Sequence, residues 1–220
     1  GSISSSPYFD RLMSDFAIWM AGCVSVPLYP TLAAETIRQI LEHSESKLLF
    51  VGKLDGWDGM KPGVPAGLPC IATPLAPASN YPKWDDIIAR TAPLSGNPVR
   101  DGDELSTIMY TSGTTGMPKG VMLSHGNFLS NTESILAFRL IDPQDNLLSV
   151  LPLHHAFAFI VQLILLYTGA QITFPPSLKG PDLLACMRET GITALVAVPQ
   201  LFYHIHKGIF DQIGRRPIAV

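Results

Sequence analysis

After Asp103 the chain settles into an exchange of short apolar runs and longer helix-period runs, and this exchange constrains the fold more than any other feature. Strands are expected at Leu105–Tyr110, Val121–Leu123, Leu147–Leu151, Gln171–Phe174 and Ile192–Val198, with helices between them, one running from about Asn127 to Arg139. Strands that alternate with helices line up in parallel, with the helices packed on the sheet. The first third follows the same grammar: helix spacing in Tyr8–Gly22, a strand at Val24–Tyr29, a helix from about Ala33 to Ser44 and a strand at Lys47–Val51. The expected class is α/β, with largely parallel sheet layers flanked by helices. In such sheets ligands lie beyond the strand C-termini, so the loops after Tyr110 and Leu151 form the expected working edge.

Between Gly52 and Pro98, 14 of 47 residues are Gly or Pro, which marks a loop-rich connector broken only by a short strand at Cys70–Thr73 and a helix at Lys83–Arg90. The expected organisation is a first α/β subregion with its connector over residues 1–98 and a second subregion over 99–220.

Composition removes several classes of function. The net charge is −3 and no block of Lys or Arg occurs, so nucleic acid is not an expected partner. Cys23, Cys70 and Cys186 are odd in number and outside any metal-ligand spacing, which suits reduced thiols in a cytoplasm. The apolar stretch Ala156–Ala170 is interrupted by Gln162 and falls short of the roughly 20 residues a spanning helix needs, so no transmembrane segment and no signal peptide are expected. A place at the membrane periphery stays open. Only 15% of residues are charged, against about 25% in ordinary soluble domains, which fits a chain some of whose faces are covered by parts of a longer protein.

The densest chemistry lies in Tyr110–Gly120, read as Tyr-Thr-Ser-Gly-Thr-Thr-Gly-Met-Pro-Lys-Gly. Glycines let successive backbone N–H groups turn into one concavity, an anion nest. Thr111, Ser112, Thr114 and Thr115 add uncharged donors, and Lys119 adds a charge on a mobile stem. The set suits a triphosphate. It is not a Walker A loop, because Pro118 precedes the lysine and Gly120 follows it. A solvent-exposed hairpin turn is the bland alternative, although hairpin loops usually run only about 2–5 residues.

This run, continued by Val-Met-Leu-Ser-His-Gly-Asn to Asn127, resembles the phosphate-loop signature of the adenylate-forming superfamily of acyl-CoA synthetases, peptide-synthetase adenylation domains and luciferases. Ala21–Thr31 resembles that family's upstream segment, and Val150–Phe157, with Pro-Leu-His-His-Ala-Phe, its next motif in long-chain fatty-acyl-CoA synthetases. The resemblance covers nearly the whole chain and implies an incomplete N-terminal domain of such an enzyme.

It further implies that Thr111, Ser112, Gly113, Thr114, Thr115, Gly116 and Lys119 contact ATP phosphates, that Thr115 helps hold Mg²⁺, and that His155 joins Lys119 near the reacting groups. His154 falls on a variable position, and Gln200 stands where the family usually has arginine. The implied reaction joins a carboxylic acid to AMP and then to CoA. The family's adenine, ribose and C-terminal lysine elements are not in this chain, so it is expected to need a C-terminal part and to be inactive by itself. Long-chain, medium-chain and aryl acids, a peptide-synthetase role and an inert nucleotide-binding or interaction module remain as readings.

Overall fold

The computed structural model describes residues 7–111, 117–151 and 154–214. The chain forms two compact units, Gly1–Glu133 and Ser134–Val220. The expected join at 98–99 falls inside the first unit.

In the first unit, α1 (Pro7–Met20) carries Asp15, whose carboxylate takes a hydrogen bond from Arg11 Nε at 2.8 Å and a short one from Ser25 Oγ. Trp19 at its far end donates from Nε1 to the Ser106 carbonyl at 2.8 Å. The segment after α1 was expected as a strand, Val24–Tyr29, but only Ser25 pairs, as an isolated parallel bridge to Thr107. The physical reason lies in its prolines: buried Pro27 has no N–H to continue a ladder, and Pro30 ends the segment. This bridge, with the Trp19 bond, ties residues on both sides of the expected join.

Helix α2 (Ala34–His43) buries Ile37, Ile40 and Leu41 on one side, the spacing of a single helical face. Strand β1 (Leu49–Val51) pairs in parallel with β2 (Cys70–Ala72). The crossover between them is more than a loop. It contains the short helix α3 (Trp57–Met60) and the 3-10 turn Lys61–Gly63, and it places Trp57 and Met60 in one core with Ile37, Leu41, Val51 and Cys70. Helix α4 (Trp84–Arg90) follows, with no buried residue. Strands β3 (Leu105–Thr111) and β4 (Lys119–Ser124) then form an antiparallel pair, in register from Ile108–Met122 to Thr111–Lys119.

Asp10 is a strained element of this unit. Its Oδ2 and the Thr73 Oγ1 are buried without a hydrogen-bond partner among the described residues. Desolvation raises the Asp10 carboxyl above its ordinary value, the nearby Thr73 hydroxyl offsets part of the rise, and Asp85 adds repulsion. A carboxyl whose native pKa is raised binds its proton more tightly folded than unfolded. Stability from this group is therefore fully present below the unfolded value and drains away as pH climbs toward the native one. Asp10→Asn should raise the melting temperature at neutral pH, by a gain worth about 1 kcal/mol. The gain should vanish in acid below the ordinary carboxyl value, as followed by thermal melts across pH; an equal gain at every pH would remove ionisation as its cause.

Helix α5 (His125–Leu136) begins directly after β4. The second unit is built on β5 (Asn146–Ser149), buried along its whole length. Helix α6 (Ala156–Thr168) leads to β6 (Gln171–Thr173), α7 (Gly180–Thr190) to β7 (Ala194–Val196), and α8 (Pro199–Gly214) follows. The sheet is parallel with order β6-β5-β7. Gly169 and Gly191, with φ of 75° and 63°, end α6 and α7 in the left-handed conformation that glycine adopts without strain. Leu147, Val161 and Leu165 form one side of the core, and Leu148, Val150, Leu183 and Cys186 the other. The chain is thus α/β, with parallel sheets and one antiparallel pair. Among the described residues no helix is long and apolar enough to cross a membrane.

Candidate functional site

The hairpin β3–β4 presents the phosphate-loop sequence at its open end. Its last rung pairs Thr111 with Lys119, both exposed, and the Thr111 hydroxyl reaches the Lys119 carbonyl at 3.5 Å. Lys119 makes no ion pair among the described residues, where the bridges are Arg11–Asp15, Lys47–Glu45 and Arg100–Glu104. Ser112, Gly113, Thr114, Thr115 and Gly116 lie outside the described residues, and with them the Mg²⁺ contact expected at Thr115.

The frame below this end is tightly built. A Cβ on Gly120 would lie 2.7 Å from Ile108 Cγ2 and 3.3 Å from Tyr110 Cζ, so the two side chains fill the space that glycine leaves. Tyr110 is 4% exposed, and its hydroxyl meets His43 Nδ1 of α2 at 2.6 Å. Burial pushes the Tyr110 phenol up, so it meets the imidazole as a neutral hydroxyl. No sequence signal pointed to His43, which stands 67 positions from its partner.

At the other end of β4 a reciprocal cap starts α5: Asn127 N–H donates to Ser124 Oγ at 3.2 Å, and Ser124 N–H donates to Asn127 Oδ1 at 3.0 Å. His125 stacks edge-on against Trp19 with ring centroids 5.4 Å apart. Desolvation pulls the His125 pKa down, Arg100 pulls the same way, and Glu104 opposes them.

The expectation that the loop after Tyr110 lies beyond a parallel strand needs correction. β4 returns antiparallel to β3, so the loop is the tip of a hairpin, and the rule for parallel sheets does not place it. That rule does apply to the second unit. β5 is joined to β6 on one side, while β7 returns to its other side, so the segments after β5 and β7 leave the same edge at a reversal of strand order. His155 stands there as the residue before α6, with φ of −99° and ψ of 137°, and its carbonyl accepts from Phe159 N–H at 3.1 Å. Its ring lies 4.6 Å from that of His154, centroid to centroid. Gln162, nearly two turns into α6, is buried and donates from Nε2 to Ser149 Oγ at 3.0 Å, so the polar residue that interrupts the apolar stretch ties the helix to β5. Lys119 belongs to the first unit and His155 to the second.

The donor set at the hairpin end, an ammonium that makes no ion pair among the described residues beside a hydroxyl on an exposed rung, fits phosphate oxygens. Among the described residues no three His, Cys, Asp or Glu side chains gather into a metal site. The family model for AMP-binding enzymes matches residues 5–215. The chain belongs to this family.

As a member of the AMP-binding enzyme family it can be set beside relatives of known name. It is 29% identical over 216 residues to the long-chain-fatty-acid–CoA ligase FadD15 of Mycobacterium bovis, covering 93% of this chain and 35% of that protein. It is 33% identical over 216 residues to fatty acyl-CoA synthetase A of Dictyostelium discoideum, covering 92% of this chain and 32% of that protein. The chain therefore spans well under half the length of the curated relatives it matches. Among solved structures, ATP-bound MatB from Rhodopseudomonas palustris superposes with a TM-score of 0.71 at 27% identity, over 89% of this chain and 38% of that one. The O-succinylbenzoate coenzyme A synthetase of Bacillus subtilis, solved with ATP and magnesium, shares the fold with a TM-score of 0.71 at 21% identity, over 89% of this chain and 49% of that one.

Proposed function

We propose that this chain is the phosphate-gripping part of an enzyme that uses ATP to activate a long-chain fatty acid as acyl-AMP and then transfers the acyl group to CoA. The observation that carries the reading is the exposed Thr111–Lys119 rung, with its ammonium in no ion pair among the described residues, in a chain of the AMP-binding family. The fatty-acid assignment rests on relatives named as fatty-acid–CoA ligases and acyl-CoA synthetases. ATP is supported by the ATP-bound MatB neighbour.

In the first half-reaction a carboxylate oxygen attacks the α-phosphorus, the bond to the bridging oxygen of pyrophosphate breaks, and acyl-AMP forms. Two anions must approach each other, so the protein's work is positioning and charge neutralisation. Lys119 supplies the positive charge and Thr111 a hydroxyl donor, with Ser112, Gly113, Thr114, Thr115 and Gly116 completing the grip and Thr115 holding Mg²⁺ when it is bound. His155 attends the acyl carboxylate. In the second half-reaction the CoA thiol attacks the acyl carbonyl and AMP leaves. The join at residues 98–99, the need for a C-terminal part and a cytoplasmic location belong to the same proposal, the last supported by free Cys23, Cys70 and Cys186.

ATP–pyrophosphate exchange with acids of graded length, plus an aryl acid, is the test. A longer polypeptide that extends this chain to the length of its relatives should exchange best with long-chain acids. The chain alone should bind MgATP in competition with pyrophosphate and give no exchange. Best exchange with the aryl acid would overturn the substrate, robust exchange by the chain alone would overturn the division of labour, and failure of the chain to bind MgATP would remove the phosphate reading.

A further inference from the structure

We propose that His43 is a positioning residue for the nucleotide-binding hairpin: its contact with Tyr110 fixes the rungs from which the phosphate loop springs. The inference rests on the reading of that hairpin as a polyphosphate grip. Tyr110 is 4% exposed, and a buried phenolic hydroxyl needs a partner. That partner is His43 Nδ1 at 2.6 Å, with the two rings edge to face at 86° and centroids 5.8 Å apart. Tyr110 Oη can donate to an unprotonated Nδ1 or accept from Nδ1–H, so the bond survives either state of the imidazole.

The ring held this way is the floor of the hairpin end. Gly120 lies opposite Tyr110 in the register, and a Cβ there would come within 3.3 Å of Tyr110 Cζ, so the β4 backbone rests on the tyrosine ring. One residue further, Thr111 faces Lys119, the two described residues of the proposed grip. The Tyr110 ring can swing only if its hydroxyl leaves His43. The imidazole is in turn held by α2, whose Ile37, Ile40 and Leu41 are anchored in the core. The contact thus transmits the rigidity of a core helix to a loop that must present several donors at once. Pre-ordering a binding loop raises affinity by removing the fraction of molecules in which the loop is wrongly placed.

The test measures MgATP affinity of this chain by titration and thermal stability in parallel. His43→Ala and Tyr110→Phe should each weaken MgATP about tenfold, and the double variant should be no worse than either alone, because both remove one interaction. His43→Asn places an amide atom where Nδ1 sits and should recover most of the affinity. Arg38→Ala, on the same helix as His43, loses the 2.6 Å bond from Nη2 to the Pro62 carbonyl of the 3-10 turn and should lower the melting temperature and leave affinity unchanged. Tyr110→Phe keeps the ring and its packing, so a folded variant is at hand if His43→Ala fails to fold. Parental affinity in both single variants, with only a lower melting temperature, would show the contact to be structural and overturn this inference alone. Absence of MgATP binding by the parent chain would overturn it together with the phosphate reading.

Discussion

Gly63→Ala should destabilise the first unit by about 3 kcal/mol, read as a drop in the denaturant midpoint at unchanged slope. Gly63 closes the 3-10 turn that follows α3, and it is buried against the first residue of α2. A Cβ there would lie 2.7 Å from the Ala34 carbonyl carbon and 2.8 Å from its Cα, and closer still to the carbonyl oxygen. These atoms are backbone at a helix start, so relief requires moving either the helix or the turn. Neither is free. Arg38 Nη2 holds the Pro62 carbonyl at 2.6 Å, and Trp57 and Met60, just upstream of the turn, are locked in the core with Ile37 and Leu41. Gly56→Ala is the control, because nothing lies within 4 Å of a Cβ at that site; it should stay within about 0.5 kcal/mol of the parent. Equal midpoints for the two variants would show that the turn yields easily and that the packing of α2 on the crossover is loose.

The same crossover shows where sequence reading succeeds and where it stops. Helix α2 was expected from about Ala33 to Ser44 and spans Ala34–His43, because Ile37, Ile40 and Leu41 mark one face by local spacing. Strands β6 and β7 were equally legible, because each starts soon after a helix-ending glycine, Gly169 or Gly191. The crossover itself, with its glycines and prolines, reads as a loop, yet Trp57 and Met60 are core residues. Their burial depends on α2, β1 and β2 closing over them, and no short-range period encodes that. Val24–Tyr29 failed for the opposite reason: its apolar residues have strand character, but buried Pro27 cannot donate to a ladder.

For the candidate site, the residue types of the loop pointed to phosphate, and the family match stands behind that reading. The strand direction did not follow from the local sequence. Alternating strands and helices suggested largely parallel pairing, whereas β3 and β4, consecutive in the chain, pair antiparallel. The support beneath the loop was invisible altogether. Tyr110 and His43 meet across 67 residues, and nothing in either neighbourhood names the other.

Lys119 carries the second large effect, and the prediction separates binding from folding. Its side chain is exposed, at the last rung of an antiparallel pair, and forms no ion pair among the described residues, so Lys119→Ala should change stability by no more than about 0.5 kcal/mol. In the longer polypeptide the same substitution should lower ATP–pyrophosphate exchange about a hundredfold, the scale seen when one charge-stabilising donor is removed from a reacting centre. Lys119→Arg should restore part of the rate, since charge returns but a planar fork replaces a point donor. Lys53→Ala, which removes another lysine of the same unit, from the segment after β1, should leave exchange unchanged and so control for net charge. The interaction is exposed, and added salt should narrow the gap between parent and Lys119→Ala through screening. A variant that melts with the parent but exchanges at the parental rate would move the grip off this rung. If exchange fell only in proportion to a lost melting temperature, the lysine would be a structural part of the hairpin, and its ammonium would no longer point to a phosphate.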